Sequence, residues 1–136
     1  MASADSEASR RPRPLSPHLS IYRPIVTMVM SIMHRATGII NVGGLLLVVG
    51  YLLAIASGPE AYGTAAALYS SWFGRVVLVA FTWSLIHHLV SGIRYFLWDF
   101  GLAFGPERYA MSWAALVAGI VLTIALWVGV VAMEIV

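Results

Sequence analysis

The chain has 136 residues, of which 60% are hydrophobic and only 10% charged, with a formal net charge of +2. A soluble globule has about a quarter of its residues charged, so this composition excludes that class. Cysteine is absent, which excludes thiolate-bound zinc, iron–sulfur clusters and disulfides within the chain.

Taken from the N-terminus, Met1 to Pro14 reads as a short cytoplasmic tail. Its arginines and serines suggest a transit peptide, but Asp5 and Glu7 argue against one. No secretory signal is evident, because the first apolar run is a full span with no cleavage site. Pro12, Pro14, Pro17 and Pro24 prevent a long helix before about Ile25, so Ser16 to Pro24 is expected to lie extended. Residues 1–24 together form the expected N-terminal tail.

Three apolar runs follow, Thr37 to Ser57, Trp72 to Trp98 and Met111 to Ala132. Each has about 20 residues or more, enough at 1.5 Å per residue to cross a hydrocarbon core roughly 30 Å thick. Spanning segments must satisfy their backbone groups internally, which makes helices the expectation and excludes lone strands. The predicted helices cover roughly 25–57, 70–98 and 109–134, and 25–136 reads as one anchor domain. Three such helices bury little by themselves. The expected fold is therefore an all-α membrane protein whose three transmembrane helices form part of a heteromeric bundle.

All eight basic residues are arginine. Arg10, Arg11, Arg13 and Arg23 precede the first span and Arg35 stands at its entrance, whereas the loop from Gly58 to Ser71 has Glu60 and no arginine. The positive-inside rule then makes the N-terminus cytoplasmic. It returns the Gly101–Tyr109 loop, with Arg108, to the same side and leaves Glu134 outside. The basic N-terminal end reads as topology rather than nucleic-acid binding. Gly58-Pro59 stops the first helix. Tyr62, Tyr69, Trp72 and Phe73 fit an outer aromatic belt, and Trp98, Tyr109 and Trp113 an inner one. Gly101, Gly105 and Pro106 make the second loop. The third helix has no ionisable group within its apolar run before Glu134, and reads as packing.

Candidate chemistry lies on the first two helices. Ionisable side chains within a bilayer cost roughly 2.5–3.5 kcal/mol each on insertion scales and usually have a task there. Adjacent helical positions differ by about 100°, so His87 and His88 cannot both face one metal. Ser84, His88, Gly92 and Tyr95 share one face, while His87 falls with Ser91 and Arg94. A glycine one turn from His88 leaves room for a flat macrocycle, making His88 the better haem-ligand candidate. A hydrogen bond across the bundle is the plainer alternative for either histidine. On the first helix Ser31 and Arg35 are i, i+4 neighbours near the cytoplasmic boundary. Together they can hydrogen-bond the oxygens of a polar-headed, lipid-soluble ligand. His34 points elsewhere and can reach an acidic cofactor group. The competing reading has Arg35 snorkelling to lipid phosphates and His34 as an interfacial residue.

A resemblance adds to this. Arg13-Pro14-Leu15, followed by Ser31-Ile32-Met33-His34-Arg35-Ala36-Thr37-Gly38, resembles the first signature of the cytochrome b subunit of succinate dehydrogenase. The run from His88 to Gly101 resembles its second, and Ser16 to Tyr22 resembles the mitochondrial and α-proteobacterial branch. The resemblance covers nearly the whole chain. It implies that His88 is an axial ligand of a haem b shared with a second small membrane subunit, which supplies the other histidine. It implies that Ser31 and Arg35 line a ubiquinone site, and that His34 and Arg35 lie near the haem propionates. Tyr95 stands where some members carry histidine, and Asp99 belongs to the motif, with a part in proton delivery. The implied partners are that second anchor, an iron–sulfur subunit, a flavoprotein subunit and the bilayer, with no nucleic acid. The implied setting is a bacterial cytoplasmic membrane or, alternatively, a mitochondrial inner membrane. A quinol:fumarate reductase anchor, a haem-free scaffold and a small transporter are the rival readings.

Overall fold

A computed structural model describes residues 21–133. Most of the N-terminal tail, with Arg10, Arg11, Arg13 and the Ser16–Ser20 stretch, lies outside the described residues, as does Glu134. Four helices follow in order: α1 (Val26–Ala56), α2 (Pro59–Ser70), α3 (Trp72–Asp99) and α4 (Glu107–Ala132). Among the described residues there is no strand. Three helices, α1, α3 and α4, are long and apolar enough to cross a membrane, as expected for an all-α membrane protein.

Local chemistry sets each boundary. Ile25, immediately after Pro24, precedes α1 in an extended conformation. Ser71 caps α3, its Oγ accepting from the Gly74 N–H at 3.0 Å. The C-terminus of α3 closes in a Schellman turn. Leu102 N donates to the Leu97 carbonyl at 2.9 Å and Gly101 N to that of Trp98 at 2.8 Å. Gly101 has φ 76°, a left-handed conformation that glycine adopts without steric cost.

The connection read from sequence as a loop, Gly58 to Ser71, is instead mostly helical. In α2, Pro59 occupies the first turn and Glu60 complements the positive helix end, followed by an alanine run. The Gly58-Pro59 stop does end α1, but the same proline starts the next helix. Tyr62 and Tyr69, expected in an outer belt, pack around Tyr51, with Tyr69 edge-on at 5.1 Å. The Tyr69 hydroxyl also donates to the Leu47 carbonyl at 2.7 Å, tying α2 to α1.

The three long helices pack around an interior that is polar by residue type. Thr37, Ser84, His87, Ser91, Arg94, Ser112 and Thr123 are buried, whereas Met30 and Ala115 are the buried hydrophobics, among the described residues. Large aliphatic residues such as Ile39, Leu46 and Val128 face outward. This arrangement suits a lipid solvent, which gives no hydrophobic drive for packing apolar side chains inside. Small and hydroxylated residues, which let helices approach and hydrogen-bond, hold the seams instead.

Candidate functional site

The two faces of α3 inferred from helical spacing are engaged by different helices. The Ser84–His88–Gly92–Tyr95 face meets α1. Ser84 Oγ lies 3.1 Å from the Thr37 carbonyl and 2.8 Å from the Asn41 side-chain amide. The His88 ring lies on α1 one turn further along. Gly92 faces His34, whose Nε2 would be 3.8 Å from a side-chain carbon at that position.

His88 is oriented from α1 by atoms of the stretch His34 to Gly38. Its Nδ1 lies 3.0 Å from the His34 carbonyl oxygen and 3.3 Å from Thr37 Oγ1. A carbonyl only accepts, so Nδ1 carries the hydrogen and Nε2 keeps the lone pair in the neutral ring. The His34 imidazole stacks on that of His88, with centroids 4.0 Å apart and planes inclined by 11°. Beneath, Gly38 leaves room: a side-chain carbon there would stand 3.2 Å from His88 Cε1. Thr37 Oγ1 is itself held 2.9 Å from the carbonyls of Met33 and His34. Tyr95 completes the group, its ring 5.0 Å from that of His34.

His87 is placed quite differently. It is fully buried on the α4 side, stacked on Trp83 at 5.2 Å, with Nε2 3.4 Å from Ser91 Oγ. Gly119 of α4 approaches so closely that an added carbon would lie 3.4 Å from His87 Cα, Cβ and Nδ1. His87 is thus a packed interhelical residue with no room for a macrocycle.

Ser31 and Arg35 sit on α1 beside this cluster, Ser31 half-buried and Arg35 exposed. Asp99, at the last turn of α3, is exposed. His34, read from sequence as pointing away from Ser31 and Arg35, turns onto His88 and leaves its buried Nε2 without a partner. Sequence reasoning gave no role to Thr37 or Gly38 individually, although both lie in the first signature. It also missed Ser112, on the helix read as packing alone, which accepts from Arg94 Nη1 at 2.7 Å. The Ser112–Ala115–Gly119–Thr123 series of small residues at helical spacing was the available signal.

These features define a polytopic helical membrane protein with an imidazole site between two of its spans. Comparison with known proteins narrows that class. Residues 9–126 match the family described as succinate dehydrogenase/fumarate reductase transmembrane subunit. The succinate dehydrogenase cytochrome b556 subunit of Paracoccus denitrificans is 37% identical over 114 residues, covering 84% of this chain and 88% of the relative. That of Rickettsia prowazekii is 37% identical over 117 residues, 85% of this chain and 91% of the relative. The mitochondrial cytochrome b560 subunit of Mus musculus is 36% identical over 125 residues, 82% and 67% respectively. The chain belongs to the succinate dehydrogenase/fumarate reductase transmembrane subunit family.

Proposed function

We propose that this chain is a membrane-anchor subunit of a succinate:ubiquinone oxidoreductase, contributing one axial ligand to a haem b and part of a ubiquinone-reduction site. The names of the relatives support the enzyme and the cytochrome. The observation that carries the ligand assignment is the His88 ring, with Nδ1 tied to the His34 carbonyl and Nε2 left with its lone pair. Metal-bound histidines usually donate their second nitrogen in this way, which fixes ring orientation and raises ligand basicity. The residues present fit a haem: Gly38 keeps bulk away from the His88 ring, Gly92 adds none beside His34, and the buried His34 Nε2 has no partner. A bound haem b supplies one-electron storage at the site.

In this reading Ser31 and Arg35 bind and orient ubiquinone at the cytoplasmic entrance. α1 has 31 residues and is therefore about 46 Å long, well beyond a hydrocarbon core of roughly 30 Å. Its first turns can thus stand in the interfacial zone, where water supplies protons. The Arg35 guanidinium and Ser31 hydroxyl donate hydrogen bonds to quinone oxygens as charge develops on them. His34 and Arg35 stand near the haem propionates, and Asp99, exposed at the same end, contributes to proton delivery. Residues 1–24 form a cytoplasmic tail and 25–136 the anchor. Succinate is oxidised on a flavoprotein subunit, with electrons arriving through an iron–sulfur subunit, and a second small anchor supplies the other haem ligand. The setting is a bacterial cytoplasmic membrane, in keeping with the Paracoccus and Rickettsia relatives. The family description also covers fumarate reductase, in which the same parts run with quinol as donor.

The test is spectroscopic. In complexes purified in mild detergent, His88→Ala is expected to abolish or shift the reduced haem α-band, and His87→Ala to leave haem bound. A full-strength spectrum in the His88 variant would remove the ligand assignment.

A further inference from the structure

Arg94 is an arginine within a membrane-spanning helix, 2% exposed, with no acidic partner among the described residues. Its surroundings hold it rigidly. Nη1 donates to Ser112 Oγ at 2.7 Å, and that hydroxyl in turn donates to the Arg108 carbonyl at 2.7 Å. The guanidinium carbon lies 4.8 Å from the Tyr95 ring centre and 4.7 Å from that of Trp98. Nε and Nη2 are both buried and make no hydrogen bond. These two nitrogens form one edge of the planar guanidinium, the edge whose parallel N–H groups match the two oxygens of a carboxylate.

The donors around it also lack acceptors. Trp98 Nε1 and His34 Nε2 are buried and unpartnered, and both rings border Tyr95, at 5.5 and 5.0 Å. An unpaired cation and several unmet donors in a low-dielectric interior are costly unless an acceptor-rich, negative group is present. Asp99 and Glu107, at the same end of the bundle, are exposed and make no ion pair with Arg94.

We propose that the Nε–Nη2 edge of Arg94 is half of a buried carboxylate-binding site, completed on assembly by a carboxylate from outside the described residues. Ser112 acts as the positioning residue, since it fixes the opposite side of the guanidinium and so aims the free edge. Two sources share the required chemistry: a haem propionate, which rests on the haem reading above, and an acidic protein side chain, which does not.

The test uses Arg94→Gln, Arg94→Lys and Ser112→Ala in the assembled complex. Two quantities are read: the reduced:oxidised haem ratio at one fixed redox poise, and the fraction of partner subunits retained on heating in detergent. If a propionate fills the site, Arg94→Gln lowers the haem ratio about tenfold, because loss of a nearby cation disfavours the added electron. Arg94→Lys then recovers only part of it, and Ser112→Ala gives a smaller shift in the same direction. If a protein carboxylate fills the site, the haem ratio stays put. Partner subunits are instead released about tenfold more readily from both Arg94 variants, lysine included, because a point charge cannot replace the fork. A lysine variant equal to the unaltered complex in both measurements overturns the proposal, since charge alone would suffice. A glutamine variant equal in both overturns it too, the edge then meeting only water. Should Arg94→Gln fail to assemble, the lysine and Ser112 variants, which keep a buried cation, carry the test. An unaltered complex without haem would defeat the functional reading, while subunit release would still report on the fork.

Discussion

His88 and His87 are adjacent in sequence and opposite in circumstance. The distinction follows from 100° of helical rotation, which turns one ring onto α1 and the other onto α4. His88 meets a carbonyl, a hydroxyl and a glycine; His87 meets Trp83, Ser91 and the glycine of a closely packed helix. Ser31 and Arg35, one turn apart on the same helix that orients His88, supply hydrogen-bond donors without any metal. Losing a hydrogen bond from a charged donor costs about 1.5–3 kcal/mol, or roughly 10- to 100-fold in rate if the bond tightens in the transition state. Arg35→Ala is accordingly expected to cut succinate:ubiquinone reductase activity by that range, and Ser31→Ala by less. Succinate oxidation with a soluble acceptor should be unchanged in both, and equal loss of the two activities would instead point to assembly.

Each long helix is organised by what it presents to its neighbours. α3 is the central element, polar on two faces, and it is read from one side by Thr37 and Asn41 and from the other by Ser112 and Gly119. α4 carries almost no ionisable residue in its span, yet its small residues set how near it comes to His87 and Arg94. Gly119→Leu should force α3 and α4 apart. An overpacked seam of this kind typically costs about 1–3 kcal/mol, measurable as a lower midpoint in detergent-induced unfolding, with the proposed haem ligation by His88 on the opposite face much less affected. α2 shows where punctuation misleads. Gly58-Pro59 reads as a stop, but Pro59, Glu60 and the alanines after them are equally a helix start.

Taken whole, the described part of the molecule has Arg23, Arg35, Arg94 and Arg108 toward one end of the bundle, Arg75 at the other, and exposed aliphatic residues around the sides. Charge asymmetry across the loops predicts the orientation. Reporter fusions after Gly101 should register as cytoplasmic and fusions within Pro59–Ser70 as external, and the reverse pattern would invert the placing of the proposed quinone site. Such an exterior suits a chain surrounded by lipid and partner helices, and under the proposed function His88 would supply one of two axial ligands, leaving the site incomplete in one chain.

The sequence by itself determined the membrane class, the three apolar helices and the face on which Ser84, His88, Gly92 and Tyr95 lie. These are consequences of composition and of the 3.6-residue period, which act within a single segment. The tertiary structure alone decided that the His34 carbonyl and Thr37 orient His88, that His34 stacks on it, and that Ser112 holds Arg94. Those contacts depend on the axial register and rotation of one helix against another. Register is set by the summed packing of small residues along the seams, and no local pattern encodes that sum.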